Sequence, residues 1–173
     1  MFSRSRPRQL DTEEELYKVA LRALMRRAHS VQEMQKKLSR YTRNGLLVHV
    51  VMARLEENGQ LNDARYAQQF TRNRTQSRKQ GAFRIARELR VRGVSDADIN
   101  SALDASAAES DPVAMVRQRI DRKLRSAHGE VDEKRIASIY GSLLRAGFPS
   151  DLIRRELKRV TREEVPEAEA PEE

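Results

Sequence analysis

The residues of this 173-residue sequence best suited to chemistry are arginine and lysine, which together outnumber aspartate and glutamate by 34 to 26. They are densest between positions 72 and 92, where Glu88 is the one acidic residue. Guanidinium and ammonium groups attract phosphate without reading base sequence, and the attraction weakens as salt rises. This cluster predicts a polyanion-binding face, with an ordinary solvated helix surface as the alternative. Its members are Arg72, Arg74, Arg78, Lys79, Arg84, Arg87, Arg90 and Arg92.

Two smaller basic groups follow along the chain and give weaker candidates for the same kind of contact. The second group comprises Arg117, Arg119, Arg122, Lys123 and Arg125, and the third comprises Arg154, Arg155, Lys158, Arg159 and Arg162.

The aromatic residues indicate how such a face would meet nucleic acid. Proteins that bind single strands usually stack bases on exposed aromatic side chains. Tyr17, Tyr66, Phe70 and Tyr140 occur at core spacing beside aliphatic residues, which predicts packing. Phe83 falls off the apolar stripe of its helix and is the one candidate for exposure. This pattern disfavours stand-alone base recognition and favours a protein partner that already carries DNA.

Residues suited to catalysis or metal binding are not grouped. The sequence has no cysteine, which excludes disulfides, thiolate zinc sites and a cysteine nucleophile. Its seven glycines never approach a phosphate-binding loop pattern. The scattered histidines, His29, His49 and His128, are interpreted as helix-surface residues. Ser30 and His29 are not expected to form a nucleophile pair, because adjacent residues of a helix do not face one another. Ser30 is instead predicted to cap a helix. We predict no catalytic residue, no metal and no cofactor.

The apolar runs and the chain ends indicate the setting. The runs at 46–48 and 50–53 fall far short of the roughly 20 residues that span a bilayer. We expect no membrane association and a reducing, cytoplasmic setting. Residues 1–11 are expected to form a flexible basic arm. Residues 163–173 hold six glutamates and no basic residue, which predicts a disordered acidic tail. That tail either solubilises the chain or competes for its basic face.

Helix signals fill the rest of the chain and predict an all-α fold of nine amphipathic helices. Thr12–Glu15 and Ser30–Glu33 have the form of capping boxes. Apolar i, i+4 pairs recur at 34 and 38, at 85 and 89, and at 139 and 143. We interpret them as three tandem three-helix repeats, at 12–59, 60–109 and 110–162, each too small to bury its own core well. With only 38% apolar residues against 35% charged ones, an elongated array is expected.

Three motifs stand in a fixed order along the chain. Upstream stands Ser30-x-x-Glu33-Met34-x-x-Lys37-Leu38, and downstream Leu143-Leu144-Arg145-Ala146-Gly147-Phe148. The central positions, most of them expected to be structural, are Gly59, Leu61, Asp63, Tyr66, Ala67, Gly81, Ile85, Leu89 and Gly93. In this order the motifs resemble those of the RecX regulatory protein family, over roughly residues 14–160. Gln60 and Asn62 depart from the family pattern.

The resemblance implies a bacterial, cytoplasmic regulator that binds the RecA recombinase filament on single-stranded DNA. It implies inhibition of recombination, strand exchange and ATP hydrolysis by that filament, without an enzymatic activity of its own. The family fold is an elongated, curved array of three-helix repeats, and a monomer is expected. A basic helical nucleic-acid-binding module without a RecA partner is the alternative. A helical scaffold that recruits other proteins is a third class.

Overall fold

All regular secondary structure in the described part of the chain is helical. A computed structural model describes residues 9–125 and 132–163, with side chains described as far as residue 160. Most of the predicted basic arm and the acidic tail beyond residue 163 lie outside these residues. Within them the helices are α1 Glu13–Arg26, α2 Val31–Leu38, α3 Gly45–Glu57, α4 Asp63–Arg78, α5 Ala82–Val91, α6 Asp96–Glu109, α7 Pro112–Arg125, α8 Glu133–Ala146 and α9 Ser150–Glu163. The all-α prediction is confirmed.

Local side-chain caps explain where several helices begin. The Ser30 Oγ accepts the Glu33 N–H at 3.1 Å, and the Glu33 carboxylate accepts the Ser30 N–H at 3.4 Å. This completes the predicted capping box of α2. At α1 the Thr12 Oγ1 accepts the Glu15 N–H, but the predicted box is only half formed. The Thr12 hydroxyl itself donates to the Glu15 carboxylate at 3.2 Å, which takes the place of the backbone N–H.

Polar side chains also begin α4, α6 and α7. Asn62 accepts the Arg65 N–H at 2.8 Å, and Ser95 accepts the Asp98 N–H at 3.1 Å. Asp111 accepts the Val113 N–H at 2.8 Å, next to the proline that opens α7. Each cap satisfies an amide that the first helical turn leaves without a partner.

The described residues divide into two compact units. The first contains residues 9–71 and 87–104, and the second contains 72–86, 105–125 and 132–163. The helices α4, α5 and α6 each have residues in both units. The partition into repeats 12–59, 60–109 and 110–162 therefore stays a prediction.

Each unit has its own apolar core. In the first unit, α1, α2 and α3 pack around Leu16, Met34, Leu38, Val51 and Leu55, all of which are fully buried. In the second unit, α7, α8 and α9 pack around a core that includes Val116, Ile120, Leu143 and Ile153. Burying one such side chain contributes about 1.5–3 kcal/mol. None of the helices in the described ranges is long and apolar enough to cross a bilayer.

Candidate functional site

The first turn of α2 receives contacts from residues far along the chain within the first unit. The Ser30 hydroxyl, which caps α2, also donates to the Arg92 carbonyl at 2.6 Å. The Asp63 carboxylate accepts the Val31 N–H at 2.8 Å. Burial raises the pKa of Asp63, although this hydrogen bond opposes the shift. Two of the amides at the start of α2 are thus satisfied by side chains, and the end of α5 is held against it.

An ion-pair network surrounds the same turn. The Arg27 guanidinium lies 2.8 Å from the Glu33 carboxylate, and Arg92 lies 3.7 Å from it. Burial alone would raise the pKa of Glu33, but the hydrogen bond and the charge of Arg27 hold it below its ordinary value. The Arg92 guanidinium also lies 4.8 Å above the Phe70 ring. Arg92 is therefore committed to internal contacts in the first unit.

Two of the glycines at family-matching positions in the first unit adopt a left-handed backbone. Gly59 ends α3 with a φ of 63° and donates its N–H to the Glu56 carbonyl at 2.9 Å. Gly93 has a φ of 78°, and a Cβ there would lie 2.7 Å from the Cβ of Gln32. Such a φ is strained for other residues, so both positions need glycine for backbone reasons. Gly93 also needs it for its close approach to α2.

The remaining family-matching positions are buried. Tyr66 lies 6.0 Å from the Phe70 ring, measured between centroids, and burial raises the pKa of its hydroxyl. The exposed fraction is 8% or less at Leu61, Tyr66, Ala67, Ile85 and Leu89. Their environment is that of core residues. Gln60, one of the departures from the family pattern, accepts the Tyr17 hydroxyl at 2.7 Å.

The predicted basic face is divided between the two units. Arg87 and Arg90 belong to the first unit and the other five residues of the predicted site to the second. Arg90 forms an exposed ion pair with Asp96 at 2.7 Å. Arg87 is exposed on the helix whose buried side carries Ile85 and Leu89. Of the two, Arg87 is the one without an ion pair among the described residues.

In the second unit the predicted residues have unequal surroundings. Arg72 is exposed and pairs with Glu109 at 3.1 Å. Arg74 is half-buried, and Arg78 is exposed at the end of α4. Lys79 follows that end with a φ of 50°, a left-handed conformation typical of the residue after a helix. Exposed pairs such as that of Arg72 contribute about 0–1 kcal/mol, so they leave the arginine open to exchange partners.

The start of α5 rests on the end of α8 within the second unit. Gly81 donates its N–H to the Ala146 carbonyl at 2.8 Å, and Phe83 donates to the Gly147 carbonyl at 3.1 Å. A Cβ at Gly81 would overlap the Gly147 carbonyl and lie 2.7 Å from the Phe148 nitrogen. Gly147 itself has a φ of 92°. Two glycines thus allow the two backbones to touch, and this contact positions Phe83 and Arg84.

A group of cations lies beside this contact. The Arg119 Nη2 donates to the Arg78 carbonyl at 2.9 Å, and its guanidinium lies 5.9 Å from the Phe148 ring. Burial lowers the pKa of Arg119, and the nearby charges of Arg122 and Arg84 lower it further. Among the described residues, no carboxylate pairs with Arg119 or Arg122. Arg84 donates to the Arg145 carbonyl at 3.3 Å.

The other residues of the second basic group have different surroundings. Arg117 donates to the Glu156 carboxylate at 2.6 Å, linking α7 to α9. Lys123 is exposed on α7, and its carbonyl accepts from Arg135 at 3.4 Å. Of the group, Arg119 and Arg122 are therefore the residues brought together with Arg84 from the first cluster. Sequence reasoning kept these two groups apart, because the 34 residues between Arg84 and Arg119 give no sign of the contact. The sequence feature related to this region is the pair Gly81 and Gly147, whose lack of side chains lets the two backbones touch.

The titratable residues do not gather into a metal-binding group in the ranges that the structure covers. Groups of three or more potential metal ligands are absent there. His29 was interpreted as a helix-surface residue, and this is wrong: it is buried between α1 and α2, with Nδ1 2.9 Å from the Arg27 carbonyl oxygen. Burial lowers its pKa. His49 is exposed on α3, and His128 lies outside the described residues.

Comparison with known proteins identifies the family. A family model described as "RecX, second three-helix domain" matches residues 62–103. The regulatory protein RecX of Halorhodospira halophila is 38% identical over 135 residues, which cover 78% of this chain and 81% of that protein. The chain belongs to the RecX regulatory protein family. The RecX of Pseudomonas putida is 34% identical over 84% of this chain and 91% of its own length.

Solved RecX structures share the fold. The crystal structure of RecX from Lactobacillus salivarius matches with a TM-score of 0.75 at 20% identity and covers 86% of this chain and 96% of its own. A second crystal structure, of a regulatory protein RecX, matches with a TM-score of 0.73 over 84% of this chain and 71% of its own. The predicted family and its helical fold are confirmed, and the relatives are named as regulatory proteins.

Proposed function

We propose that this RecX-family chain binds the RecA recombinase filament on single-stranded DNA and inhibits its recombinase, strand-exchange and ATPase activities. Family membership carries the proposal, through 38% identity over 81% of a regulatory protein RecX. The resemblance implies RecA as the partner and a bacterial, cytoplasmic setting. The chain acts as a monomer and by binding, without catalysis of its own.

The inhibition follows from a difference in affinity between filament states. A ligand shifts an equilibrium only as far as it binds one state better than another. Contacts to neighbouring RecA protomers would oppose the rearrangements that filament growth, strand exchange and ATP turnover require. The basic residues from Arg72 to Arg90 face negative surface or DNA in this proposal. Exposed arginines in both units supply such contacts, with a strength that falls as salt rises.

The DNA-dependent ATPase of RecA tests the proposal directly. Adding the protein to RecA filaments is expected to lower ATP turnover in a saturable manner. Arg87→Glu is expected to raise the concentration needed for half-inhibition several-fold, because a repulsive charge replaces an attractive one. Arg43→Glu, at an exposed arginine of the same unit outside the cluster, is the matched control. Unchanged turnover and unchanged filament assembly at saturating protein reject the proposal.

A nucleic-acid-binding module without a RecA partner is the second candidate function. Arg119 and Arg122, which have no carboxylate partner among the described residues, favour it. The two functions differ in their preferred ligand. The proposed regulator binds RecA-coated strands more tightly than bare strands, whereas the alternative binds bare strands more tightly. Titrating the protein against both, at one salt concentration, separates them.

A further inference from the structure

Phe83 is an exposed aromatic residue at a place where the fold holds its backbone firmly. Its exposed fraction is 65%, although its N–H is fixed to the Gly147 carbonyl at 3.1 Å. An exposed ring forgoes the burial that a phenylalanine gains in a core. The two faces of an exposed ring are suited to stacking against another planar group. Phe83, in the first turn of α5, is therefore placed where a planar group can stack on its ring.

Three arginines lie near the backbone contact that holds Phe83. Arg84 follows Phe83 in the chain, and its charge and that of Arg122 both act on Arg119. Arg119 makes its hydrogen bond to a carbonyl, that of Arg78, which does not neutralise it. Its Nε is buried and has no hydrogen-bond partner in the described residues. Like charges brought together at a cost are commonly arranged to receive an anion.

The start of α5 and the end of α8 are in close backbone contact. Two backbone hydrogen bonds join the start of α5 to the end of α8, and the contact leaves no room for a Cβ at Gly81. The Phe148 ring, next to Gly147, is 2% exposed and lies 5.9 Å from the Arg119 guanidinium. The same contact thus fixes the backbone at Phe83 and Arg84, while the Phe148 ring beside it contacts Arg119 on α7.

We propose that Phe83, Arg84, Arg119 and Arg122 form a nucleotide subsite for a single-stranded polynucleotide. Phe83 stacks on one base, and the arginines bind the neighbouring phosphates. A duplex does not satisfy the subsite, because its base faces are covered by stacking. An acidic protein surface would use the arginines and leave the ring unused. The subsite does not depend on RecA, since it acts on a bare strand.

Binding of fluorescent oligo(dT), about 12 nucleotides long, to the full chain tests the subsite. Phe83→Ala is expected to weaken binding roughly 5- to 150-fold, the range typical of one stacked base. It leaves the salt slope unchanged because no phosphate contact is lost. Arg122→Gln is expected to lower the slope of log K against log salt by about 0.7. Phe83→Trp is expected to retain the affinity of the natural protein.

Matched controls come from exposed residues outside the subsite. Val91→Ala removes an apolar side chain that is 74% exposed on the same helix, and Arg43→Gln removes an exposed cation of the first unit. Both are expected to bind like the natural protein. An oligo(rU) strand identifies the sugar that the subsite prefers, and tighter binding of either strand supports the subsite.

Three outcomes overturn the inference. The first is unchanged affinity of Phe83→Ala with native circular dichroism. The second is a duplex that binds as tightly as the single strand, which indicates a general polyanion surface. The third is a natural protein that binds no oligonucleotide but still inhibits RecA, together with weaker inhibition by Arg122→Gln. That result would make the surface a contact for protein. In that last case the proposed function survives without the subsite. If the natural protein binds the strand but does not inhibit RecA, the proposed function is rejected and the subsite is retained.

Discussion

A buried carboxylate ties α7 to α9 in the second unit. Glu156 is 3% exposed and accepts from Arg117 at 2.6 Å, with Arg155 and Arg159 at 3.5 and 3.8 Å. The hydrogen bond from Arg117 is the largest of the causes that hold the pKa of Glu156 below its ordinary value, although burial opposes it. A buried carboxylate with such partners stays ionised and makes the arginines dependent on it.

Replacing this carboxylate is expected to destabilise the fold. Glu156→Gln should lower the free energy of unfolding by about 1–3 kcal/mol at neutral pH, because the charged hydrogen bond to Arg117 is lost. Glu109→Gln, which removes the exposed partner of Arg72, should change it by about 0–1 kcal/mol. Urea unfolding followed by far-UV circular dichroism measures both. Equal effects of the two substitutions would show that burial of Glu156 does not matter.

The same pair predicts a pH dependence of known sign. The folded pKa of Glu156 is lower than the ordinary 4.5, so the folded state favours the ionised form. The stability it contributes is complete above the ordinary pKa and is lost as the pH falls through the folded pKa. The difference between the natural protein and Glu156→Gln should therefore shrink in acid. A stability difference between the two proteins that stays constant down to the acid transition contradicts the lowered pKa of Glu156.

At the scale of elements, the start of α5 and the end of α8 stabilise each other. The amides of Gly81 and Phe83 meet the carbonyls of Ala146 and Gly147. Amides without helical partners lie at the start of a helix and carbonyls without partners at its end. The contact satisfies both sets at once and places the positive end of one helix dipole against the negative end of the other.

The closeness of this contact makes Gly81 hard to replace. Gly81→Ala should lower the free energy of unfolding by about 1–3 kcal/mol, because the added Cβ meets backbone atoms that cannot move away separately. Gly141→Ala, in the interior of α8, is the matched control. Its Cβ would meet only the flexible end of Arg145 at 3.3 Å, and alanine should stabilise the helix by about 0.5–1 kcal/mol. Thermal and urea unfolding measure whether each substitution lowers or raises the free energy of unfolding. A neutral Gly81→Ala contradicts the contact.

The predictions that the structure confirms are those that depend on neighbours in the sequence. The cap that Ser30 forms acts on the amide of Glu33, three residues ahead, so the local sequence contains the whole interaction. The exposure of Phe83 likewise follows from its place relative to Ile85 on one helix. Helical periodicity is sufficient for both kinds of inference.

The contacts that sequence reasoning missed join residues far apart in the chain. Ser30 was recognised as a cap, but its second bond goes to Arg92, 62 residues away. Gly81 and Gly147 stand in separate motifs of the sequence, although their backbones touch. His29 was placed on a helix surface because its burial depends on packing between elements. Tertiary packing decides such positions, and a single sequence does not record it.

At the scale of the whole molecule, charge is unevenly distributed along the chain. The formal net charge is +8, yet residues 164–173 contain five of the 26 acidic residues and no basic one. The rest of the chain is therefore more basic than the total indicates. A run of like charge attached to a body of the opposite charge competes with any polyanion for that body.

Removing residues 164–173 while keeping Glu163, the last residue of α9, should tighten binding to oligo(dT). The gain should be several-fold at low salt, because five negative charges no longer compete with phosphate. It should shrink as salt rises, since the Debye length falls from about 10 Å at 0.1 M to about 3 Å at 1 M. Replacing the five glutamates by glutamine at full length is the matched control and should reproduce the gain. Truncation that tightens binding when the glutamines do not would indicate a steric effect. Equal affinity of all three proteins at every salt concentration would leave the tail a solubilising segment.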